Sequence, residues 1–431
     1  MSRSKYNAKF MPRVALEVLR GQKSNKELYP KEILNNKNKK GKVLRDSHKK
    51  PSFADQINGL LYTKSYTFTV QINEYPIIMK HVFYVHSHTT YLTAMGVINK
   101  LRLPYKDVIF ITSRKYRCVG LPVEIEQHDE REIGKTYIGS SCIPFSRHGI
   151  SWIKQFDRAF EKVIHEDFTF YSVDIVPKFF QLIASNRYCV DLKFIQDGIA
   201  DKCGGEGVKR TYPLTCRIKN FIARFMGRDM SRIKKLPHNG GNYGDDYPRG
   251  VRHHASETFA ISDGLFKKVD CKHTIVEWPH VDVPLTLVDD GVYFVLDSSV
   301  EIKSIERDIY MTQVEKMIKK FSGKHNYIKF HPAQKDENKE NILSLFKKNG
   351  IQVEELPDDV PFEMILASQP HMKVCGFTTS LVFFSALMPQ HETHICMPAL
   401  CVSKRFVQRV YNDRVNSLRR CYGDKFVMET L

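Results

Sequence analysis

The sequence predicts an α/β protein built from two Rossmann-like, doubly wound domains. Its 431 residues exceed what one domain usually holds, about 100 to 200 residues. Strand-like and helix-like segments alternate from about residue 63, and a second alternating series begins at residue 291. Strands that alternate with helices favour parallel sheets with helices on both faces. The contents of 42% hydrophobic and 26% charged residues are typical of a folded globular chain.

In the first half, residues 81–101 predict a strand at 82–85, a polar turn and a helix, and 107–112 predict the next strand. Residues 151–164 predict a helix, and 188–200 predict a strand that runs into a turn. Residues 203–260 are rich in Gly, Arg, Tyr and His and predict a mobile loop region, with a linker near 265–285. We assign the first domain to residues 61–270.

In the second half, strands are predicted at 291–299, 327–330, 351–356 and 372–376, and helices at 311–321, 338–348, 361–368 and 379–388. We assign this domain to residues 285–400 and a helical segment to residues 401–431. That segment either packs on the first domain, which we favour, or contacts anionic lipid. In open parallel sheets, ligands bind in the crevice outside the carboxyl ends of the strands. Side chains at those ends are therefore the candidates for function.

Positive charge is concentrated at the amino terminus. Residues 1–50 hold fifteen Lys and Arg against four acidic residues, a net +11 of the total +18. We predict a basic arm over residues 1–60, which either contacts an anionic partner (a membrane surface, a nucleic acid or an acidic glycan) or is a solvated tail. The chain shows no secretory signal and no apolar run of about 18 residues, so we expect a cytoplasmic protein, peripheral on the inner face of the cytoplasmic membrane.

The ten cysteines include no CxxC pair, which argues against a zinc cluster and favours buried free thiols. The histidines outside the motifs below have no Cys or carboxylate cluster at ligand spacing. We therefore predict no metal site.

The sequence KFHP places a histidine at the end of a predicted strand. His331 precedes Pro332, which keeps it extended. Strand alternation points Lys329 and His331 to the same side, so the two side chains can converge on a phosphate. The alternative is a purely structural His-Pro turn.

The sequence GFTTSL, residues 376–381, joins a strand to an apolar helix. After Gly376, the hydroxyls of Thr378, Thr379 and Ser380 and the free N–H groups of the helix start point the same way. That arrangement is suited to an anion, although ordinary helix capping explains one of the hydroxyls.

Asp197 ends a predicted strand, and Gly198 is expected to permit a tight turn with positive φ. Asp197 is therefore a candidate general base for a hydroxyl. Two rivals are Asp263 and the pair at 289–290, but the pair leads into a strand and so lies at the wrong end of the sheet. His88 lies beside the presumed crevice, where it contacts a substrate or belongs to a turn.

These motifs together resemble those of the bacterial sialyltransferases and polysialyltransferases of the GT-B fold. The resemblance is carried by KFHP, by PFEMIL with Glu363, by GFTTSL and by the earlier acidic-Gly pair, and HSHTTYLTA at 86–94 resembles the first loop and helix of that family. Two positions depart from the family pattern: Gln196 stands where a first acidic residue is usual, and Thr379 replaces the commoner Ser.

The resemblance implies a role for each matched position. It makes Asp197 the base, His331 the phosphate ligand and acid, Thr379 with Ser380 the hydroxyl pair, and Lys329 with Glu363 the nucleotide contacts, Glu363 through the ribose hydroxyls. Pro332, Gly376, Thr378 and His88 complete the expected substrate-binding set.

The expected activity is inverting and metal-independent, without a cofactor. Sialic acid or a related nonulosonic acid would pass from a CMP donor to a hydroxyl of a glycan or glycolipid such as lipooligosaccharide, O-antigen or capsule. One alternative is a capsule-type transferase that uses another CMP or CDP donor, with Kdo or glycerol phosphate. The other is a basic nucleic-acid-binding protein, which is disfavoured because most of the excess charge lies in the arm.

Overall fold

A computed structural model gives the architecture of one compact unit, residues 76–431. The residues that the structure describes are 79–113, 116–137, 147–175, 177–199, 221, 224–225, 227–228, 255–266, 271–377, 379–397, 416, 422–423 and 428–431. The predicted basic arm lies outside them, as does most of the predicted carboxy-terminal helical segment.

The first domain is a seven-stranded parallel sheet. Its strands are β1 (Lys80–Val85), β2 (Val108–Thr112), β3 (Glu126–Asp129), β4 (Phe168–Ser172), β5 (Cys189–Ile195), β6 (Glu257–Ala260) and β7 (Lys272–Ile275). They lie in the order β3-β2-β1-β4-β5-β6-β7. The accompanying helices are α1 (His88–Leu101), α2 (Arg147–Val163) and α3 (Lys178–Ala184).

The second domain is a six-stranded parallel sheet in the order β10-β9-β8-β11-β12-β13. Its strands are β8 (Val292–Val295), β9 (Asn326–Lys329), β10 (Glu354–Glu355), β11 (Lys373–Gly376), β12 (Glu392–Met397) and β13 (Met428–Thr430). Its helices are α4 (Arg307–Phe321), α5 (Asp336–Lys348), α6 (Phe362–Ser368) and α7 (Ser380–Leu387). In both sheets the first strand lies inside and the order reverses beside it, which is the doubly wound pattern.

The sequence forms these strands because both faces of each sheet are covered. Every residue of β2, β4 and β8 is buried, so the strands read as unbroken apolar runs rather than as an alternation. One continuous apolar core contains residues of both sheets, among them Phe83 of β1 and Tyr293 of β8. The predicted α/β class with two Rossmann-like domains, the GT-B architecture, is confirmed by this topology.

The two domains meet where α1 contacts α6. Trp278, in the segment between the sheets, donates from its indole N–H to Thr93 Oγ1 of α1 at 3.2 Å. Its ring lies 5.2 Å from that of Phe384 in α7. The carboxyl-end loop of β1 thereby faces the second domain.

Several predicted boundaries are wrong. Residues 257–260 form β6 inside the predicted loop region, and 272–275 form β7 inside the predicted linker. The sequence analysis also missed β3, β4, α3, β12 and β13. The strands β3 and β7 are polar, four-residue pieces at the edges of the first sheet, where a neighbouring strand rather than an apolar pattern sets the pairing. Residues 428–430 are a strand within the predicted helical segment.

The close approach of β11 to β8 requires glycine at position 376. A Cβ there would lie 2.3 Å from the carbonyl oxygen of Val295 and 2.6 Å from Cγ2 of Val382. Gly376→Ala should therefore lower the free energy of unfolding by about 1 to 3 kcal/mol, measured by urea denaturation. Gly198→Ala is the matched control, because a Cβ there meets nothing within 4 Å. Equal stability of the two variants would contradict the packing argument.

Glu257 of β6 forms hydrogen bonds with side chains of both neighbouring strands, β5 and β7. It bonds Lys193 Nζ of β5 at 2.9 Å, and Thr274 Oγ1 and Lys272 Nζ of β7 at 2.6 and 2.7 Å. Burial acts to raise the pKa of Glu257, but the hydrogen bonds from Lys272, Thr274 and Lys193 outweigh it and hold the pKa at about 2.

The carboxylate of Glu257 thus stabilises the fold above pH 4.5, its ordinary pKa, and this stability is lost as the pH falls towards 2. Glu257→Gln should lower the free energy of unfolding by roughly 1 to 2 kcal/mol at pH 7. The difference from the parent protein should shrink below pH 4.5. The exposed Glu355→Gln serves as the control, and a gap that does not depend on pH would contradict the assignment.

Candidate active site

The strand ends of the second sheet bring the predicted phosphate-binding residues to one edge. Val295 of β8 pairs with Lys329 of β9 on one side and with Gly376 of β11 on the other. Two positions further along each strand are Asp297, His331 and residue 378. The sheet order reverses between β8 and β11, so this edge is the position at which doubly wound sheets bind ligands.

His331 is held in a closed turn. Its backbone N–H donates to Oε1 of the buried Gln334 at 2.9 Å, and Gln334 N–H donates to His331 O at 2.8 Å. The N–H of Ala333 donates to His331 Nδ1 at 3.1 Å. Because Nδ1 accepts, the proton of the neutral ring lies on Nε2, which leaves a donor on an exposed imidazole. Pro332 occupies the turn, where a missing N–H costs nothing.

Asp297 is a site residue that the sequence analysis missed. Its Oδ1 accepts from Ser299 N–H at 3.1 Å, and Tyr310 donates from its hydroxyl to Asp297 O at 3.2 Å. Burial raises the pKa of Asp297, while the bond from Ser299 and the nearby His331 oppose that shift. The sequence feature that could have identified Asp297 is its position directly after the buried apolar run that begins with β8.

The start of α7 lies beside this edge. Thr379 is the N-cap, in an extended conformation, and its Oγ1 accepts from Val382 N–H at 3.3 Å. Ser380 opens the helix and is half-buried. Capping accounts for Thr379, while the Ser380 hydroxyl and the helix N-terminus suit an anion. Thr378 lies outside the described residues, so the prediction for it stands untested.

Lys329 does not extend towards His331 as predicted. The side chain is 5% exposed, and Nζ donates to the carbonyl oxygens of Pro357 and, at 2.9 Å, Val360. Burial lowers the pKa of Lys329. These carbonyls precede α6, so the ammonium holds the loop that positions Glu363. The predicted convergence of the two side chains on one phosphate is therefore wrong, because two of the three ammonium donors are engaged elsewhere.

A hydrogen bond crosses the domain boundary, and a second polar pair lies on the first domain. Thr89 Oγ1 of α1 donates to Glu363 Oε1 of α6 at 3.4 Å, and Tyr116 OH lies 3.0 Å from His88 Nδ1. Burial raises the pKa of Glu363 and lowers that of His88. Burial first, and then the Cys118, Tyr91 and Glu363 groups, raises the pKa of Tyr116. Glu363 thus faces the first domain, and His88 lies at the carboxyl end of β1.

Asp197 follows the carboxyl end of β5 and is half-buried. The adjacent Gln196 is fully buried: its Nε2 donates to Gly198 O at 3.1 Å and its Oε1 accepts from Ile261 N–H at 2.9 Å. Gln196 thereby links the loops after β5 and β6. The predicted positive φ at Gly198 is wrong, since φ there is not positive. The amide of Gln196, rather than a left-handed glycine, shapes this turn.

The carboxy-terminal region reaches the same loop. Tyr422 donates from its hydroxyl to the carbonyl of Ile199 at 3.3 Å. At this residue the chain packs on the first domain, whereas residues 401–415 and 417–421 lie outside the described residues.

Metal-binding clusters and membrane-spanning helices are both absent from the described residues. Among them, no cluster of three or more His, Cys, Asp or Glu side chains has the geometry of a metal site. Nor does any helix of that part of the chain have the length and apolar character needed to cross a membrane.

No family model and no curated protein matches the chain. Solved structures are similar to it. The GT-B domain of a Photobacterium damselae sialyltransferase is 11% identical, with 82% of this chain and all of that one covered, at a TM-score of 0.44. A Photobacterium 2,6-sialyltransferase in complex with CMP and lactose is 12% identical, covering 82% and 78%, with a TM-score of 0.43. Acinetobacter baumannii MurG is 9% identical, covering 82% and 85%, with a TM-score of 0.38. At these values the similarities carry nothing about activity, and the architecture rests on the strand order.

The contacts of Lys329 make a prediction about stability. Lys329→Met removes both hydrogen bonds and leaves the buried carbonyl of Val360 unsatisfied, so we expect a loss of about 1 to 3 kcal/mol of unfolding free energy, measured by urea denaturation. The control is Lys324→Met, at an exposed lysine in the loop before β9. It should change the free energy of unfolding by less than about 0.5 kcal/mol. A Lys329→Met protein as stable as the control would refute the structural role.

Proposed function

We propose that the chain is a glycosyltransferase that takes sialic acid, or a related nonulosonic acid, from a CMP-activated donor and transfers it to a glycan hydroxyl. One observation supports the proposal: the in-register ends of β9, β8 and β11 bring the His331 turn and the start of α7 to the same edge of the second sheet, with the end of β8 between them. An imidazole N–H, a serine hydroxyl and a helix N-terminus at one edge are donors suited to a single phosphate.

Each side chain then has a separate task. His331 Nε2 donates to the donor phosphate and offsets the charge that develops on the departing CMP. Ser380 and the N–H groups at the start of α7 contact the same phosphate. Glu363, whose carboxylate reaches the domain boundary, accepts from the ribose hydroxyls, and Lys329 holds the loop before α6 so that Glu363 stays there.

Asp197 is assigned as the general base on the opposite domain. It takes the proton of the acceptor hydroxyl while that oxygen attacks the anomeric carbon, and CMP leaves from the other face, so the configuration inverts. His88, paired with Tyr116, lies at the carboxyl end of β1 and is available to the acceptor sugar. No metal or cofactor is assigned a step.

The biological setting is part of the proposal. The acceptor is a glycan or glycolipid of the bacterial surface, such as lipooligosaccharide, O-antigen or capsule, and the reaction takes place at the cytoplasmic face of the membrane. The residues do not distinguish a sialic acid donor from another CMP or CDP donor such as those of Kdo or glycerol phosphate. A panel of activated donors, scored by nucleotide release, separates them.

Two variants should distinguish the binding of CMP from the transfer step. Asp197→Asn should abolish transfer, by 100-fold or more in kcat, and leave CMP affinity within about twofold, because the base acts only on the acceptor. His331→Ala should weaken CMP binding at least tenfold, because a charge-assisted donor to the phosphate is lost. CMP affinity is measured by calorimetry, and transfer by release of CMP from CMP-sialic acid.

Asp289→Asn and His325→Ala are the controls, since both residues are exposed and precede the amino ends of β8 and β9. They should retain binding and transfer. Full activity of Asp197→Asn rejects the base assignment. Saturable stabilisation of the protein by RNA but not by CMP would favour the nucleic-acid-binding alternative over the enzyme.

A further inference from the structure

Two phenylalanine rings are exposed on the first domain. Phe221 is 60% and Phe225 is 78% exposed, and their rings lie 4.8 Å apart, edge to face. Both residues are helical and are separated by one turn, so the rings share one side of that turn. Adjacent exposed aromatic rings are unfavourable in water and mark a contact surface.

A basic cavity adjoins these rings. It measures about 250 Å³, and Gly227 and Arg228 belong to its lining. Gly227 lies two positions after Phe225, so their Cα atoms are at most about 7 Å apart. The charged residues of the lining are the cations Lys154, Arg158, Arg187 and Arg228 and the carboxylates Asp157 and Glu161. Four positive against two negative charges leave the lining with a net charge of +2.

Two of the four cations that line the cavity have carboxylate partners among the described residues, and the other two do not. Arg228 bonds Asp157 and also donates to Leu182 O and to Ser185 Oγ. Arg187 pairs with Glu161 at 2.7 Å. Lys154 and Arg158, one turn apart on α2, are exposed and have no ion pair with any residue that the structure describes. These two side chains are the excess positive charge at the mouth.

We propose that this surface, which we call the Phe-basic face (Lys154, Arg158, Phe221, Phe225 and the cavity), docks on an anionic phospholipid bilayer. The rings enter the boundary between head groups and acyl chains, and the cavity receives a lipid phosphate. A soluble anion would satisfy the cations but leave the rings in water, whereas an apolar protein partner would cover the rings but leave the cations unpaired. In the sequence, the segment around the rings, residues 217–235, holds seven Lys and Arg against one Asp.

The location of the face is compatible with an open cleft. The cavity residues Asn186 and Arg187 directly precede β5, at the amino end of the strand. Asp197 follows the carboxyl end of the same strand. Docking therefore occupies the opposite edge of the sheet from the candidate active site. The inference depends neither on the proposed function nor on residues 1–60.

Insertion can be measured with a reporter on the face. Phe225→Trp in the full-length chain is mixed with vesicles of phosphatidylcholine and phosphatidylglycerol whose acyl chains carry bromine. We expect at least a twofold stronger quenching of the added fluorescence than for Ile302→Trp, a control at a 68% exposed position on the second domain. This readout reports on the face itself, whatever the basic arm contributes. Equal quenching in the two variants overturns the proposal.

Binding strength gives the second readout, by cosedimentation with the same lipids without bromine. Phe221→Ser/Phe225→Ser and Lys154→Ala/Arg158→Ala should each lower the partition coefficient about tenfold, since each basic side chain near an anionic surface adds substantially to binding. Ile302→Ser and Lys324→Ala/Lys347→Ala should leave it unchanged, and pure phosphatidylcholine should bind all variants weakly. Melting curves verify that each variant is folded.

Three other outcomes exclude the bilayer as the occupant. Unchanged partitioning of both double variants shows that the face takes no part. Saturable stabilisation by millimolar inorganic phosphate, lost in Lys154→Ala/Arg158→Ala, together with no vesicle binding, assigns the cavity to a soluble anion. Self-association without lipid that disappears in Phe221→Ser/Phe225→Ser assigns the rings to a second copy of the chain.

Discussion

The candidate site depends on the pairing of β8 with β9 and β11. That register fixes Val295 beside Lys329 and Gly376, and through them it aligns the residues that follow each strand. A shift of one residue in either pair would turn the following side chains to the other face of the sheet. Nearly all residues of these three strands are buried, so such a shift would force each side chain into a packing position on the other face that is shaped for a different side chain. Burial of the strands therefore positions the polar residues beyond them.

Residues that look functional in the sequence serve packing first. Gly376 admits the carbonyl of Val295, Thr379 caps α7, and Lys329 holds the loop before α6. Two of these packing contacts also position candidate site residues. Gly376 allows α7 to start close to β8, and Lys329 holds the loop that leads to Glu363. The structural and the functional interpretations of such motifs are thus not exclusive, because an anion site at a helix start requires a well-fixed helix start.

The fold class and the strand-end motifs could be predicted from the sequence because both depend on patterns of residues that are close together in the chain. Apolar runs and the residue before a proline constrain the chain within a few positions, which suffices to place His331 at a strand end. Prediction failed where the partner is distant in sequence. The carbonyls that engage Lys329 lie 28 and 31 residues further on, and Ile261, which fixes Gln196, lies 65 residues away. The edge strands β3 and β7 are likewise defined by their neighbours and not by their own composition.

The domain boundary carries an electrostatic cost that a ligand can relieve. Burial raises the pKa of Glu363, and its hydrogen bond across the boundary, from the Thr89 hydroxyl, is long at 3.4 Å. A desolvated carboxylate that is held by a weak bond destabilises the unliganded protein relative to a complex that supplies stronger donors. Vicinal hydroxyls, as on a ribose, offer two donors at the spacing of two carboxylate oxygens. The binding of such a ligand would replace the weak bond to Thr89 with stronger ones, which links occupation of the second domain to the contact that holds the first domain against it.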